Sequence, residues 1–228
     1  MTQQALDFES RRGFSFADYL PASNLQTVEL LKTFVTSSSQ FSVFLWGSAG
    51  LGKSHLLQAS CQLAAEHGQS THYVPLKQWK SQSPAICKGL EQADLLCIDD
   101  IEQIAGSTEW EIALFNLFNE MQERSHHLLL SANNTPDAVN IGLADLQSRL
   151  ASGLTLHLQG HDDQRKQEVL QFRARQLGMK LPDTVSRYLL TRYNRDLSAL
   201  WALLEKLDQE TLAKHRQITL PFVKQILE

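Results

Sequence analysis

Along the first 158 residues, short apolar runs alternate with longer segments in which apolar residues repeat with the period of a helix. Short, fully apolar runs are typical of strands that are buried on both faces, and such strands occur in parallel sheets. Strands that alternate with helices favour a parallel sheet covered by helices on both sides, so we predict an α/β domain. The predicted strands are 41–46, 72–75, 95–98, 127–132 and 154–158, and the predicted helical segments are about 54–67, 84–92 and 109–124.

The pattern changes after residue 160. The segment Gly160–Asp163 interrupts it, and either Asp162 or Asp163 could cap a helix that follows. From residue 164 to 228 only helical periodicity is found, which predicts a small all-helical lid domain. We therefore expect three parts: a flexible polar tail over 1–13, an α/β domain over 14–160 and the helical lid over 161–228.

The charge, the apolar runs and the cysteines of the chain narrow the classes of function that it can have. The formal net charge is −4, from 21 Lys and Arg against 25 Asp and Glu, which gives no broad cationic field for a nucleic acid backbone. We expect any contact with DNA to be indirect.

No run approaches the ~18 apolar residues of a membrane span, and the start lacks the features of a signal peptide, so a cytoplasmic protein without membrane contact is expected. The three cysteines are interpreted as reduced core thiols.

A glycine-rich motif follows the first predicted strand. Residues 47–54 read G-x-x-x-x-G-K-S, the sequence of a loop whose backbone N–H groups surround a polyphosphate. The helix that begins near Lys53 directs its positive end at the same oxygens. Lys53 would contact the outer phosphates, and Ser54 would offer a hydroxyl to Mg²⁺. The candidate phosphate-binding residues are Gly47, Ser48, Ala49, Gly50, Leu51, Gly52, Lys53, Ser54 and the adjacent His55.

Two further predicted strands end in residues suited to nucleotide chemistry. Asp99 and Asp100 close an apolar strand, where Asp99 would join the Mg²⁺ site beside Ser54 and Asp100 would orient a water for attack on a γ-phosphate. Asn133 follows the strand that ends at Ala132 and could hold the water or the γ-phosphate. The alternative interpretation of Asn133 is a polar residue of a turn.

Arg149 lies near the end of a predicted helix, in the segment Leu146-Gln147-Ser148-Arg149-Leu150. Taken alone, it would be an ordinary solvated charge. In NTPases that form rings or filaments, an arginine delivered to a neighbouring subunit stabilises transition-state charge and raises hydrolysis by roughly 10³ to 10⁵.

Together these motifs resemble the DnaA branch of the AAA+ NTPases, over about residue 14 to the C-terminus. Residues 93–102, with Gly106 after them, are similar to the long Walker B segment of the DnaA initiator, and 146–150 to its arginine-finger box. Residues 16–24 resemble the N-terminal box, in which apolar residues, here Leu20 and Pro21, pack on the base and an Asn, here Asn24, closes a turn. The resemblance implies bound ADP or ATP with Mg²⁺.

No helix-turn-helix domain follows the expected lid, a layout that resembles DnaA homologues that inactivate DnaA on the replication clamp. The resemblance implies that Arg149 acts in trans on ATP bound to DnaA, and it leaves open whether the chain forms a homo-oligomer.

In such homologues a short N-terminal peptide docks on the DNA sliding clamp, the polymerase III beta subunit. Residues 3–8 read Q-x-x-L-x-F, so Gln3 would enter a polar pocket while Leu6 and Phe8 fill an apolar cleft. The alternative is a chance match.

One position departs from the family pattern. In our interpretation of the lid sequence, Ser198 stands where the family usually places its sensor arginine, and Arg195, one turn earlier, could substitute at the nucleotide. We therefore expect weak hydrolysis of the chain's own nucleotide.

Two other functions stay open at this point: a helicase-loading or initiator accessory ATPase, and a P-loop kinase or NTPase that acts on a small molecule. The base and the phosphate state of the nucleotide also stay open.

Overall fold

The computed structural model describes residues 14–37, 40–193, 196–214 and 217–227. At its centre lies a parallel five-stranded sheet in the order β2-β3-β4-β1-β5. Each strand is within one residue of its predicted bounds at either end. The strands are β1 (Ser42–Trp46), β2 (Thr71–Pro75), β3 (Leu95–Asp99), β4 (His127–Ala132) and β5 (Leu154–His157).

The three central strands, β1, β3 and β4, are buried on both faces, which explains why they are nearly continuous apolar runs, whereas the edge strands β2 and β5 are partly exposed. In β1, Val43 and Leu45 belong to the core on the side of helices α1 and α2. Phe44, between them, belongs to the core on the side of α4 and α5. The helices of this part of the chain are α1 (Leu25–Ser37), α2 (Lys53–Glu66), α3 (Leu76–Trp79), α4 (Thr108–Glu123) and α5 (Ala144–Ser152).

The helical segment predicted over residues 84–92 is wrong. The chain there forms two short 3-10 turns, Pro84–Cys87 and Leu90–Gln92. Gly89 separates them with a φ of 93°, a left-handed conformation that an α-helix cannot include. Helix α1, in contrast, was not predicted.

The C-terminal part is helical, as predicted. It contains α6 (Asp163–Gln176), α7 (Asp183–Arg192), α8 (Leu197–Lys214) and α9 (Leu220–Leu227). Asp162 is the residue that caps α6, because its carboxylate accepts a hydrogen bond from the Arg165 N–H at 2.8 Å. The buried residues Leu170, Leu189 and Leu200 of these helices join the core beside α1 and α2. In the part of the chain that the structure describes, no helix is long and apolar enough to cross a membrane.

Candidate nucleotide site

The carboxyl ends of β1, β3 and β4 lie at one edge of the sheet, because these strands are parallel neighbours. The glycine-rich loop follows β1 and leads into α2, which begins at Lys53. Asp99 ends β3 and Asn133 follows β4. The fold thus brings the candidate residues of three separate sequence motifs to the place where open parallel sheets bind ligands.

Lys53 is buried and anchors the loop that precedes it. Its ammonium group donates to the carbonyl oxygens of Gly47 at 2.7 Å and Ser48 at 3.3 Å, and to the side-chain oxygen of Asn133 at 2.9 Å. Burial lowers the pKa of Lys53, and the charges of Asp100, Glu102 and Asp99 oppose this shift. A buried cation with three carboxylates around it is suited to hold an anion only where a further cation offsets the excess negative charge.

Glu102 is a residue of the site to which the sequence analysis assigned no role. The Asn133 side-chain amide donates to Glu102 Oε1, so Asn133 links Glu102 to Lys53. The other carboxylate oxygen of Glu102 is buried and has no hydrogen-bond partner. Burial raises the pKa of Glu102, and the charge of Asp100 raises it further. An unpartnered buried acceptor beside Asn133 is a position where a water or a ligand hydroxyl would be bound.

Asp99 is fully engaged with hydroxyl groups. The residue is only 3% exposed, and its two carboxylate oxygens accept hydrogen bonds from the hydroxyls of Ser131 and Tyr73, the latter at 2.7 Å. The Asp100 N–H donates in turn to Ser131 Oγ at 3.1 Å. Asp100 has a φ of 60°, in the left-handed region, and non-glycine residues in that region are concentrated at functional sites. Burial, and then the charge of Asp99, raise the pKa of Asp100.

The donor set fits Mg²⁺ that arrives with a nucleotide. Among the described residues, no group of three or more His, Cys, Asp or Glu side chains could hold a metal ion alone. Mg²⁺ seldom requires such a group, because it keeps several waters and binds through one or two carboxylates and phosphate oxygens. Ser54 and Asp99 would supply a hydroxyl and a carboxylate oxygen to such an ion, and the three carboxylates near Lys53 leave negative charge that a divalent cation would offset.

The N-terminal box packs on the glycine-rich loop. A Cβ atom at Gly52 would lie 2.6 Å from the ring of Tyr19, whose hydroxyl donates to the Leu51 carbonyl at 3.0 Å. Asn24 is buried and exchanges two hydrogen bonds with the backbone of Gln159, at 3.2 and 2.7 Å. Both ends of the Asn24 amide are therefore used to tie this segment to the chain after β5.

A cavity of about 220 Å³ lies between the N-terminal box, the loop and the lid. His55 lines it, and His55 Nε2 carries the proton because it lies 2.9 Å from the Ser15 carbonyl, which can only accept. Burial lowers the pKa of His55. Leu20 also lines the cavity, whereas Pro21 precedes the short 3-10 helix Ala22–Asn24, and its carbonyl accepts a hydrogen bond from the Asn24 N–H at 2.7 Å. The mixed aromatic and apolar wall suits a flat ring such as a nucleobase.

The lid touches the loop directly at Gly50. A Cβ atom there would lie 2.5 Å from the backbone nitrogen of Ser198, and the Trp201 indole donates to the Gly50 carbonyl at 3.3 Å. The Ser198 hydroxyl and N–H both donate to Asp196, at 2.6 and 2.7 Å. Asp196 thus caps the start of α8, and Ser198 offers no cation to a phosphate. Arg195, the suggested substitute, lies outside the described residues.

Replacing Gly50 with alanine is expected to separate the lid from the loop. Both Gly50 and Gly68 have a left-handed φ, +81° and +78°, so alanine costs about 1 kcal/mol at either position. Only at Gly50 would the added Cβ atom also clash with the lid backbone at Ser198, and this overlap adds roughly 1–3 kcal/mol to the destabilisation. Thermal unfolding of Gly50→Ala and Gly68→Ala measures the difference. Equal destabilisation by the two variants would contradict the close contact between lid and loop.

Replacing Glu102 with glutamine is expected to stabilise the nucleotide-free protein at neutral pH. The folded-state pKa of Glu102 is raised above its ordinary value of 4.5, so its favourable contribution exists below pH 4.5 and is lost as the pH rises through the folded-state pKa. Removing the charge should raise the melting temperature at pH 7 by about 2–4 °C, the change that 1 kcal/mol produces at this size. The exposed Glu120→Gln is the control, and a gain that persists at pH 4 would contradict the assignment.

Arg149 is the candidate residue that the fold keeps apart from this site. It lies on α5, where its guanidinium donates to Gln122 Oε1 at 3.0 Å and its Cζ atom lies 6.0 Å from the centre of the Phe118 ring. Both partners belong to α4, on the face of the sheet opposite α2. The candidate clamp-binding residues Gln3, Leu6 and Phe8 lie outside the described residues.

Comparison with known proteins places this geometry in a family. Residues 14–157 match the bacterial DnaA ATPase domain, and residues 163–227 match the lid domain of Hda. Domain III of the Thermotoga maritima replication initiation protein DnaA has a similar fold, with a TM-score of 0.82 and 19% identity over 95% of this chain and 96% of that one.

More distant structures share the fold as well. AMPPCP-bound DnaA from Aquifex aeolicus has a TM-score of 0.72 and 20% identity over 85% of this chain and 64% of that one. The Holliday junction branch migration motor RuvB of Thermotoga maritima has a TM-score of 0.68 and 18% identity over 95% and 72%. With the glycine-rich loop, the two acids and the helical lid in the family order, the chain belongs to the DnaA family of AAA+ ATPase domains and carries a lid of the Hda type.

Proposed function

We propose that this chain is a nucleotide-bound regulator of replication initiation that promotes hydrolysis of ATP held by DnaA. The observation that carries the proposal is the place of Arg149, on the opposite face of the sheet from the helix of its own glycine-rich loop. An arginine placed so is available to complete the site of a neighbour, where it would stabilise the charge that develops on the transferred phosphoryl group. The Hda-type lid supports a DnaA protomer as that neighbour.

The nucleotide is ADP or ATP, held mainly as a structural cofactor. AMPPCP-bound DnaA from Aquifex aeolicus, which shares the fold, supports an adenine nucleotide here. The loop and Lys53 would bind its phosphates, and Leu20 and His55 would line the base pocket. Mg²⁺, held by Ser54 and Asp99 with the phosphate oxygens, would neutralise phosphate charge when bound.

Hydrolysis of the chain's own nucleotide is proposed to be weak. Asp100 and Asn133 are the residues suited to orient an attacking water. The Asn133 amide, however, is already engaged at both ends, by Lys53 and by Glu102, which leaves it one N–H and one lone pair for a water or a γ-phosphate. Ser198 supplies no positive charge from the lid. The arrangement therefore favours a role in which the catalytic contribution of the chain is Arg149.

The second proposed partner is the DNA sliding clamp, through the Q-x-x-L-x-F peptide at residues 3–8. A short peptide that orders on binding would tether the chain to clamps on DNA, so its contact with DNA is indirect. Tethering raises the effective concentration of Arg149 near DnaA that is bound to the same DNA. The net charge of −4 is consistent with reaching DNA through a partner.

Single-turnover hydrolysis tests the proposed activity. DnaA is loaded with labelled ATP, and the decay of bound ATP is followed with this chain, with clamp on DNA, and with both. We expect rapid decay with both components. Decay that stays at the rate of DnaA alone in every mixture would refute the proposed function.

A clamp pull-down tests the tether separately. The triple variant with Gln3, Leu6 and Phe8 changed to alanine should lose retention on the clamp, because all three anchors are removed. The matched control changes Gln4 and Asp7, which occupy the variable positions of the same peptide. Equal retention of the two variants would exclude this peptide as the anchor and would favour a helicase-loading or initiator accessory role.

A further inference from the structure

Glu111 is a buried carboxylate on α4 to which no role has been assigned. It lies in the first turn of the helix and is only 3% exposed. Its Oε1 atom accepts hydrogen bonds from the backbone N–H groups of Gly106 at 2.7 Å and Gly142 at 3.1 Å, and Oε2 accepts one from the Leu143 N–H at 2.8 Å. A buried carboxylate is costly unless hydrogen bonds stabilise it, and backbone donors do so here. One side chain therefore holds two separate segments of backbone.

The contact with Leu143 takes the place of a missing helix cap. Leu143 is the N-cap residue of α5, and its side chain makes no capping hydrogen bond. In a capping box, a Glu at the third helical position accepts the N–H of the N-cap residue, but in α5 that position is Leu146. Glu111 supplies the acceptor from α4 instead, at the end of α5 where the helix dipole favours a negative charge. The start of α5 is therefore fixed by a neighbouring helix.

Arg149 lies on the same short helix, between its two buried residues, Leu146 and Leu150. Apolar contacts have no preferred direction, so two leucines alone would leave the orientation of α5 weakly defined. The hydrogen bond from Arg149 to Gln122 must break before the guanidinium can reach a partner's phosphate. The contacts of Glu111 are buried and can persist at that stage, so they continue to orient the helix while Arg149 acts.

We propose that Glu111 is a positioning residue for Arg149, which holds the start of α5 on α4 and so sets the place from which the guanidinium reaches the partner nucleotide. The proposal rests on the proposed function, because it concerns how Arg149 is presented to DnaA. Position matters in such chemistry, since a displacement of about 1 Å can slow a reaction by about 100-fold.

Replacing Glu111 with glutamine tests the proposal at nearly constant side-chain volume. One carboxylate oxygen becomes an amide NH₂ group, which cannot accept, so at least one of the three N–H groups loses its acceptor. Single-turnover decay of labelled ATP on DnaA is measured at increasing concentrations of the variant, with clamp on DNA. We expect the maximal rate to fall about 10- to 100-fold and the half-saturating concentration to stay within about twofold, because docking is unchanged.

Two control variants separate positioning from folding. Glu120→Gln changes an exposed carboxylate on the same helix and should keep the wild-type rate. Val35→Ala removes buried methyl groups from α1, on the face of the sheet opposite α4 and α5, and so lowers the melting temperature. It should keep the maximal rate at temperatures where the protein is folded. A loss of rate in Val35→Ala equal to that in Glu111→Gln would attribute the effect to stability and overturn the proposal.

Other results would overturn the proposal as well. A Glu111→Gln variant that keeps the maximal rate, or that changes only the half-saturating concentration, would remove the role of Glu111 and leave the proposed function intact. In a complex with AMPPCP-bound DnaA, the Gly142 and Leu143 nitrogens should stay within about 3.2 Å of the Glu111 carboxylate after Arg149 has left Gln122. Their separation would contradict the proposal even if the variant failed to fold. A wild-type chain that stimulates no hydrolysis would refute the proposed function, and this proposal with it.

Discussion

Replacing Arg149 with alanine is expected to slow stimulated hydrolysis of DnaA-bound ATP by at least about 10³-fold, the lower end of the effect of an arginine finger. The nucleotide affinity of the chain itself should not change, because the guanidinium contacts α4 and not the glycine-rich loop. Stability should change little, since the partner Gln122 is exposed and can be hydrated. Single-turnover decay of labelled ATP on DnaA measures the effect.

Arg124 offers a matched control for this result. It is exposed at the end of α4 and, like Arg149, its guanidinium lies near a glutamine oxygen, that of Gln92 at 3.5 Å. Arg124→Ala should keep full stimulation. Full stimulation by Arg149→Ala, or an equal loss in both variants, would exclude a specific role for Arg149 in the chemistry.

Replacing Lys53 with alanine is expected to abolish nucleotide binding, with a loss of at least about 100-fold in ADP affinity. Removing one partner from a buried set of charges costs about 3–5 kcal/mol, because the other charges remain without compensation. Here the remaining charges are those of Asp99, Asp100 and Glu102. The ammonium also holds the carbonyls of the loop, so the loop would lose its anchor. Calorimetric titration with ADP measures the affinity.

Lys80 serves as the control for Lys53. Its ammonium group donates to the Gln103 side chain at 2.9 Å in an exposed position. Lys80→Ala should bind ADP as the wild type does. Retention of ADP affinity within about tenfold by Lys53→Ala would mean that the loop binds phosphate through its backbone alone, contrary to the charge balance described above.

The central strands of the sheet could be predicted from the sequence because each is short and buried on both faces. A run such as Leu95-Leu96-Cys97-Ile98 has no polar position that a helix would need for an exposed face. The glycine-rich loop and the two acids that end β3 were recognisable for a similar reason, since their chemistry requires consecutive residues. Motifs that depend on local spacing are visible without a structure.

The segment from 84 to 92 shows the limit of this approach. Its apolar residues have a spacing compatible with a helix, and only the φ of Gly89 divides it into two turns. Helix α1 was not predicted, although the segment Leu25–Ser37 is amphipathic and buries Val28, Leu31, Phe34 and Val35 on one face.

The contacts that complete the site depend on strand order, which single-sequence reasoning does not provide. Tyr73, Asp99 and Ser131 come from three strands, and they meet because β3 lies between β2 and β4. A signal was nevertheless available, because each residue lies near the carboxyl end of a predicted strand. Glu102 carried a similar signal, as a third carboxylate after the pair that ends β3.

The central claim is that Arg149 completes the active site of a partner. The most direct measurement is a cryo-EM structure of this chain in complex with AMPPCP-bound DnaA, in which the distance from the Arg149 guanidinium to the γ-phosphate is determined. We predict an N–O distance of about 2.7–3.2 Å. A guanidinium that remains on Gln122, with the DnaA nucleotide out of its reach, would contradict the claim.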